Sequence, residues 1–595
     1  MFLFLSACKK PVETEESLNE KLDFNYSEYK SVLQTKLLTF DSDLVKQDTL
    51  IQYYDTLKSF YKARNYEPVF IKSFDDKKLV DSLLIFFGNA EEHGLNPEQY
   101  HFSSIKREFY KAIDTIPNAF RYANLANTEF LISEALLKYS YHLRYGMVNP
   151  KQIFSDSYFL PIDDSSKGDL FQPLKQENIL KYLADIQPKS KRYKSLQIAL
   201  KYYNQFKDLE WPAIPLPAKK IEVGATDSSI PLIISRLITL EYLDTSKVKL
   251  KDFNKYDSLL ADYVKRFQVN NGLVDDGVLG KSTVERLNVT PQEYINKIKL
   301  NLERFRWNDY SDTSQYIIVN IPDFKLFVYD NGKKIFNSKV CTGQKRSSYY
   351  ESQLKVYKKT RRWGDKPDNW ETPNLYSELS SLVLNPTWNV PPSIMREEIA
   401  NKLKKDSTYL KEKNFKVYKN GEEIDPLEVQ ISELHSDAIP YRIVQDPGAG
   451  NALGKIKFMF NNPFGVYLHD TPNRPPFNYS NRAVSHGCVR VEKPLPLAEF
   501  LLRNHPSWNI NYLKIEIGQK VEDKSIVSEY YKKRSSLRKY ASLGETTEVK
   551  LSKKIPLFID YYTTWVDDSG VVQFRADVYD RDKVLLEYLT SKKLI

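Results

Sequence analysis

Two short runs concentrate the reactive side chains of this chain. His469-Asp470-Thr471-Pro472 is followed by Ser485-His486-Gly487-Cys488-Val489-Arg490, with His486 seventeen positions after His469, so two of the seven histidines and one of the three cysteines fall together. Three kinds of chemistry use such residues. A thiol is a poor nucleophile until ionised, and a histidine arriving from another strand can take its proton. Gly487 beside Cys488 lets the backbone approach a substrate carbonyl and leaves main-chain N–H groups for an oxyanion, while Arg490 offers a planar fork to a carboxylate. His469, His486 and Cys488 could instead ligate a metal, but no fourth ligand stands nearby and the histidines lack the i,i+4 spacing of a helical site. A structural loop around an inert buried thiol is the third reading.

The elements that must position these residues read as strands from Tyr310 onward. Tyr316 to Ile321 is a β-branched apolar run, and Leu326-Phe327-Val328-Tyr329 leads through Asp330-Asn331-Gly332 into a hairpin. A second hairpin is expected at Val417-Tyr418-Lys419-Asn420-Gly421, inside a Lys/Glu-rich insertion (about 393–450) that could cover the site. Strand pattern returns at Val466-Tyr467-Leu468-His469, Ile510 to Ile517, Ile559 to Tyr562 and Val571 to Phe574. Cys341 ends a predicted strand and is expected to be a buried core residue.

Upstream, residues 45–217 are helical. Leu125, Phe130, Leu131, Ala135, Leu136, Tyr139 and Leu143 mark one buried stripe. His93 and His142 are expected to be packing residues. A Pro-rich linker, Trp211 to Pro217, leads to a compact unit in which Leu260, Val264 and Phe267 share a helical face, Gly272 stops that helix and Ser282 is expected to cap the next. Gly280-Lys281-Ser282-Thr283 is not a phosphate-binding loop, because that motif needs glycine where Asp275 stands.

The length of 595 residues allows about four domains at roughly 150 residues each. With 41% hydrophobic residues and 20 Gly, the composition excludes general disorder and collagen, and Cys8, Cys341 and Cys488 are too far apart for a disulfide scaffold. The net charge of +10 is spread among interleaved acids, a solvated surface with no nucleic-acid module in it. The opening Met1 to Cys8 resembles the lipobox of a bacterial lipoprotein signal peptide, which implies acylation of Cys8 and a lipid anchor in a membrane. Residues 9–44 then read as a tether.

The histidine, its spacing and the Ser-His-Gly-Cys run resemble the signature of the YkuD-type L,D-transpeptidase catalytic domain. Val319-Asn320-Ile321-Pro322 and Leu384-Asn385-Pro386-Thr387-Trp388-Asn389-Val390-Pro391-Pro392 are similar to its YcbB-like branch. Phe60 to Pro68, His93 to Pro97 and Tyr141 to Gly146 resemble that branch's scaffold domain, and Val264 to Leu287 a peptidoglycan-binding domain. The resemblance implies a multidomain α+β protein: a helical scaffold (45–217), a three-helix peptidoglycan-binding domain (218–290), a β-sandwich catalytic domain with a capping insertion (291–520), and a C-terminal segment (521–595) completing the unit. It implies Cys488 as nucleophile, His469 as base oriented by the Asp470 carbonyl, and His486 and Gly487 around the oxyanion. Ser485, Tyr467 and Arg490 take supporting and substrate-facing places, and no cofactor or metal is implied. The implied reaction joins peptidoglycan stem peptides through 3→3 cross-links, carbapenem-type inhibitors block it, and the setting is the periplasm. A cell-wall cysteine carboxypeptidase or amidase, and a non-catalytic wall-anchoring lipoprotein, are the alternatives.

Overall fold

A computed structural model describes residues 17–39, 51–116, 118–162, 169–244, 253–308, 310, 313–537 and 544–595. Cys8 and its lipobox lie outside the described residues. The segment expected to be a tether is in part structured: Leu18–Leu22 and Tyr26–Thr39 are helices. Tyr29, Leu33 and Leu37, spaced by four, are buried against the central scaffold helix. Asn19 and Asp75 pin the entry, accepting the Phe74 and Leu18 N–H groups at 2.8 Å each.

That central helix, Arg121–Tyr145, is buried nearly all round rather than along one stripe. Its buried charged and imidazole groups survive burial because they find partners. Glu129 accepts the N–H groups of Val69 (2.5 Å) and Ile71 (2.9 Å) and the Tyr61 hydroxyl (2.7 Å). Glu134 accepts the Gln52 N–H at 2.7 Å and pairs with Lys138. His142 and His93 meet the hydroxyls of Tyr100 (2.9 Å) and Tyr193 (3.0 Å), which are packing roles.

The unit after the linker is three helices, Ile230–Thr239, Ser258–Asn270 and Lys281–Leu287. The last starts one residue before Ser282, on Gly280, so Ser282 lies in its first turn and caps nothing. The Gln268 amide ties the turn together, donating to Asp276, Val278 and Thr283 and accepting from Gly277. The Pro-rich linker is itself packed: the Trp211 indole donates to the Val289 carbonyl at 2.9 Å and lies under the Arg236 guanidinium.

The strands are β1 (Tyr158–Phe159), β2 (Gln315–Asn320), β3 (Lys325–Asp330), β4 (Lys333–Gly343), β5 (Asn374–Leu384), β6 (Trp388–Asn389), β7 (Phe415–Lys419), β8 (Glu422–Ile424), β9 (Tyr441–Gln445), β10 (Ile456–Phe460), β11 (Leu468–His469), β12 (Ala483–Ser485), β13 (Val489–Val491), β14 (Thr547–Asp560), β15 (Thr564–Val566) and β16 (Val572–Phe574). The catalytic sheet runs β1-β5-β10-β11-β13-β4-β3-β2-β14, and β14 also pairs with β5, joining the two ends of the path around the core of Ile317, Leu326, Phe458 and Leu557. Asn331 and Asn420, both with positive φ and followed by glycine, make the two expected hairpin turns. The insertion is a subdomain, a sheet ordered β6-β9-β7-β8 over its own core of Ile399, Leu410, Val417 and Ile443. Ile510 to Ile517 is not a strand: Asn509 accepts the Asn511 and Tyr512 N–H groups and starts a helix, Ile510–Glu516, that buries Leu513 and Ile515.

The buried carboxylate of Glu129 generates a prediction. Glu129→Gln replaces an acceptor by an NH2 group facing donors, so urea unfolding of the full chain should show the scaffold transition destabilised by about 2–3 kcal/mol.

Candidate active site

The site is built on two strands that meet in parallel. β11 pairs with β13, Leu468 opposite Val489 and His469 opposite Arg490, and the Val489 N–H donates to the Tyr467 carbonyl at 3.0 Å. Cys488 therefore adjoins Tyr467, and His469 stands on the diagonal from it, a separation that long side chains bridge. β10 and β4 extend the row, with Lys457 opposite His469 and Cys341 opposite Arg490. Directly paired residues share a face, so Lys457, His469, Arg490 and Cys341 line up on one side of the sheet.

That face opens into a cavity of about 520 Å³, walled by Tyr467, His469, Ser485, His486, Cys488 and Arg490 from the sheet, by Trp388, Ile394, Glu398 and Tyr409 from the cap, and by Trp370. The structure thus gathers in one cavity the side chains that the residue cluster and the resemblance pointed to, Tyr467, His469, Ser485, His486, Cys488 and Arg490. The Asp470 carboxylate belongs to the frame instead, accepting the Lys455 N–H at 2.9 Å. Its carbonyl carries the functional contact, 2.5 Å from His469 Nδ1. This bond places the ring proton on Nδ1 and leaves Nε2 as the acceptor.

The turn before the thiol is fixed from three sides. Gly487 has φ of 108°, a conformation that only glycine adopts without strain. Ser485 Oγ accepts the Gly487 N–H at 3.3 Å and donates to the Cys488 carbonyl at 2.6 Å. The Gly487 carbonyl accepts from Thr372 Oγ1 at 2.8 Å, and the same hydroxyl accepts the Gly343 N–H at 2.9 Å. A Cβ on Gly343 would lie 1.7 Å from the Trp370 carbonyl oxygen, so β4 and the 370–372 segment can only close on glycine. Thr372, Trp370, Glu398 and Lys457 were not picked out from the sequence. Thr372-Pro373 was visible there as a dipeptide, but its contact with Gly487 is formed only by the fold.

His486 faces the cap. Its Nε2 lies 3.1 Å from Glu398 Oε1, out of line for a hydrogen bond, and its ring meets Trp370 edge-on at 4.4 Å. The adjacent ring holds the Glu398 carboxyl below its usual range. Glu398 sits on a π-turn, Met395–Ile399, a local widening of a helix often found at functional sites.

The electrostatics differ from a freely titrating pair. Burial, then the Arg490 guanidinium, push the His469 imidazole down to about 3, well below the ordinary 6.5 expected for a base of this kind. Burial also raises the Cys488 thiol, opposed by hydrogen bonds from Tyr467. The resting site therefore holds a neutral imidazole and a neutral thiol, whose hydrogen bond runs to the Gly465 carbonyl at 4.0 Å. Cys341 is buried and its thiol is pushed up to about 11, which makes it inert. Among the described residues no group of three His, Cys, Asp or Glu side chains converges on an ion-sized site.

Comparison with known proteins identifies the class. Residues 314–522 match the YkuD L,D-transpeptidase catalytic domain, 55–200 a scaffold domain and 227–287 a putative peptidoglycan binding domain. Three segments of this multidomain α+β molecule are therefore similar to an L,D-transpeptidase catalytic domain, a scaffold domain and a putative peptidoglycan binding domain, and the chain spans about half the length of the curated relative it matches. It is similar to a putative L,D-transpeptidase of Haemophilus influenzae, 33% identical over 288 residues, a match spanning 48% of this chain and 48% of that protein. A crystal structure of the L,D-transpeptidase (residues 123–326) from Xylanimonas cellulosilytica is 14% identical and covers 50% of this chain and 95% of its own, with a TM-score of 0.16 that adds nothing to the fold.

The two neutral groups predict a reactivity profile. Alkylation of Cys488 by iodoacetamide, followed by peptide mass spectrometry, should keep rising steeply from pH 7 to pH 9 without a plateau, because burial raises the thiol and keeps it protonated at neutral pH. A plateau below pH 8 would instead reveal a thiolate–imidazolium pair.

Proposed function

We propose that this protein forms 3→3 peptidoglycan cross-links through a thioester on Cys488. The observation that carries the reading is the placement of Cys488 and His469 on paired strands facing one cavity, with the imidazole proton fixed on Nδ1 by the Asp470 carbonyl. The Cys488 sulfur attacks the carbonyl joining residues three and four of a tetrapeptide stem while His469 Nε2 takes the thiol proton. The C–N bond breaks, His469 returns the proton to the departing nitrogen, and D-Ala leaves. The amine of a neighbouring stem's third residue then attacks the thioester, losing its proton to the same imidazole and regenerating the thiol. Because the Gly487 N–H is engaged by Ser485, the oxyanion falls to the N–H of Cys488, in a turn that Ser485 and Thr372 hold in place before substrate arrives. The cap and Trp370 wall off the cavity, which favours an amine acceptor over bulk water. The peptidoglycan-binding domain supports a place at the cell wall in the envelope. Acylation of Cys8 would add a membrane anchor, and mass spectrometry of the mature N-terminal peptide would find diacylglycerol on that cysteine.

Purified protein given a disaccharide-tetrapeptide should yield 3→3 dimers by mass spectrometry, and Cys488→Ala should yield none. Free tripeptide without dimers would identify a carboxypeptidase. A carbapenem should add its full mass to the Cys488 peptide of the wild type.

A further inference from the structure

Two cations of the cavity make no direct ion pair among the described residues. Lys457 and Arg490 flank His469 in one row across β10, β11 and β13 and both line the cavity. Neither makes an ion pair with a carboxylate among the described residues. The Lys457 ammonium rests on the face of Tyr467, 3.7 Å from the ring centre, and Glu398 of the cap lies 3.1 Å from His486. Half-buried like charges on either side of a neutral ring repel each other and want a counter-ion. Glu398, the carboxylate that lines the cavity, feels the Arg490 charge but lies against His486 rather than between the two cations.

We propose that Lys457 and Arg490 form a two-cation site for a carboxylate of the donor stem peptide. The inference rests on the transpeptidase reading and extends it to substrate selection. Lys457 presents a point charge from one side of the base and Arg490 a planar fork from the other, so an anion held between them lies over His469 and next to Cys488. A donor seated by its carboxylate has its scissile carbonyl carried to the thiol by a short, fixed length of peptide. Binding acts on the base as well. Arg490 and Lys457 both disfavour the imidazolium of His469, whose other near neighbours are the Tyr467 ring and the Asp470 carbonyl, and neutralising the two charges makes the ring a better proton acceptor at the step that needs one.

Two carboxylates of a stem could fill the site, the C-terminal one of residue four and one borne by a diamino diacid at residue three. Three synthetic donors separate them: the free diacid, the C-terminal carboxamide, and the residue-three carboxamide. Acylation of Cys488 is followed by mass spectrometry in wild type, Lys457→Met and Lys457→Arg, with iodoacetamide labelling of Cys488 as the check that each variant is folded. The wild type should prefer the free diacid over one of the two amides by about tenfold in kcat/KM, and that amide names the carboxylate bound. The preference should fall to about twofold in Lys457→Met and be retained in Lys457→Arg. Comparing ratios cancels the different leaving tendencies of D-Ala and its amide. A wild type indifferent to both amides, or a preference unchanged in Lys457→Met, overturns the site and leaves the transpeptidase reading standing. A labelled wild type acylated by none of the donors overturns that reading and the site with it.

Discussion

The hydrogen bond from the Val489 N–H to the Tyr467 carbonyl joins two stretches that are separate in sequence, and every feature of the cavity depends on it. Because β11 and β13 run parallel, they cannot be linked by a tight turn and need a long crossover. Residues 470–487 supply it, and on the way they deliver Ser485, His486 and Gly487 to the mouth of the site. A shift of one residue in this register would turn His469 and Cys488 to opposite faces of the sheet. The neighbouring pairings with β10 and β4 and the Thr372 bolt to Gly487 and Gly343 prevent that slip. The geometry of the cavity is thus a property of the whole sheet more than of the short motif that reveals it.

The same packing sets the charges. Pressing His469 into the sheet between two cations lowers its basicity, and burying Cys488 raises its thiol, so the pair rests uncharged. An uncharged resting thiol reacts slowly with adventitious electrophiles. Reactivity then depends on what enters the cavity, since an anion near Lys457 and Arg490 changes the balance on the imidazole between them. Glu398, the cap carboxylate that lines the cavity, lies at His486 rather than between the two cations, which leaves the space between Lys457 and Arg490 without a carboxylate among the described residues.

Much of this was legible in the residues. The Asn-Gly turns announced their hairpins, because positive φ at two successive positions admits few other sequences. The reactive cluster stood out because rare residue types fell close together. Other features were hidden for physical reasons. Ile510 to Ile517 reads as a strand by composition, yet the Asn509 cap and the packing of Leu513 and Ile515 select a helix. The central scaffold helix shows one apolar stripe in sequence, and its buried Glu129 and Glu134 are understood only once the backbone N–H groups that satisfy them are in place. Residues 18–39 follow an acidic, polar start that reads as a tether, yet Tyr29, Leu33 and Leu37 at a spacing of four, with Leu18, Leu22, Phe24 and Val32 beside them, dock the segment on the core. Lys457 looked like any strand lysine until register set it beside His469.

Domain coupling centres on one buried side chain. Arg575, on the C-terminal stretch after β16, donates to the Asp323 carboxylate at 2.6 Å in the catalytic sheet and to the Asn270 carbonyl at 2.9 Å at the end of a helix in the three-helix unit. Its aliphatic stem packs where any side chain on Gly272 would collide, so that glycine both stops the helix and admits the arginine. A second tie runs directly from the Val274 N–H to Ser480 Oγ at 3.0 Å, within the crossover that leads to Ser485. Breaking a buried pair such as Arg575–Asp323 leaves an uncompensated charge, which makes the junction stiff where a flexible linker would have left the two units free. The three-helix unit and the cavity are therefore tied through Arg575 and the 470–487 crossover, so whatever fixes the position of one also limits the approach to the other.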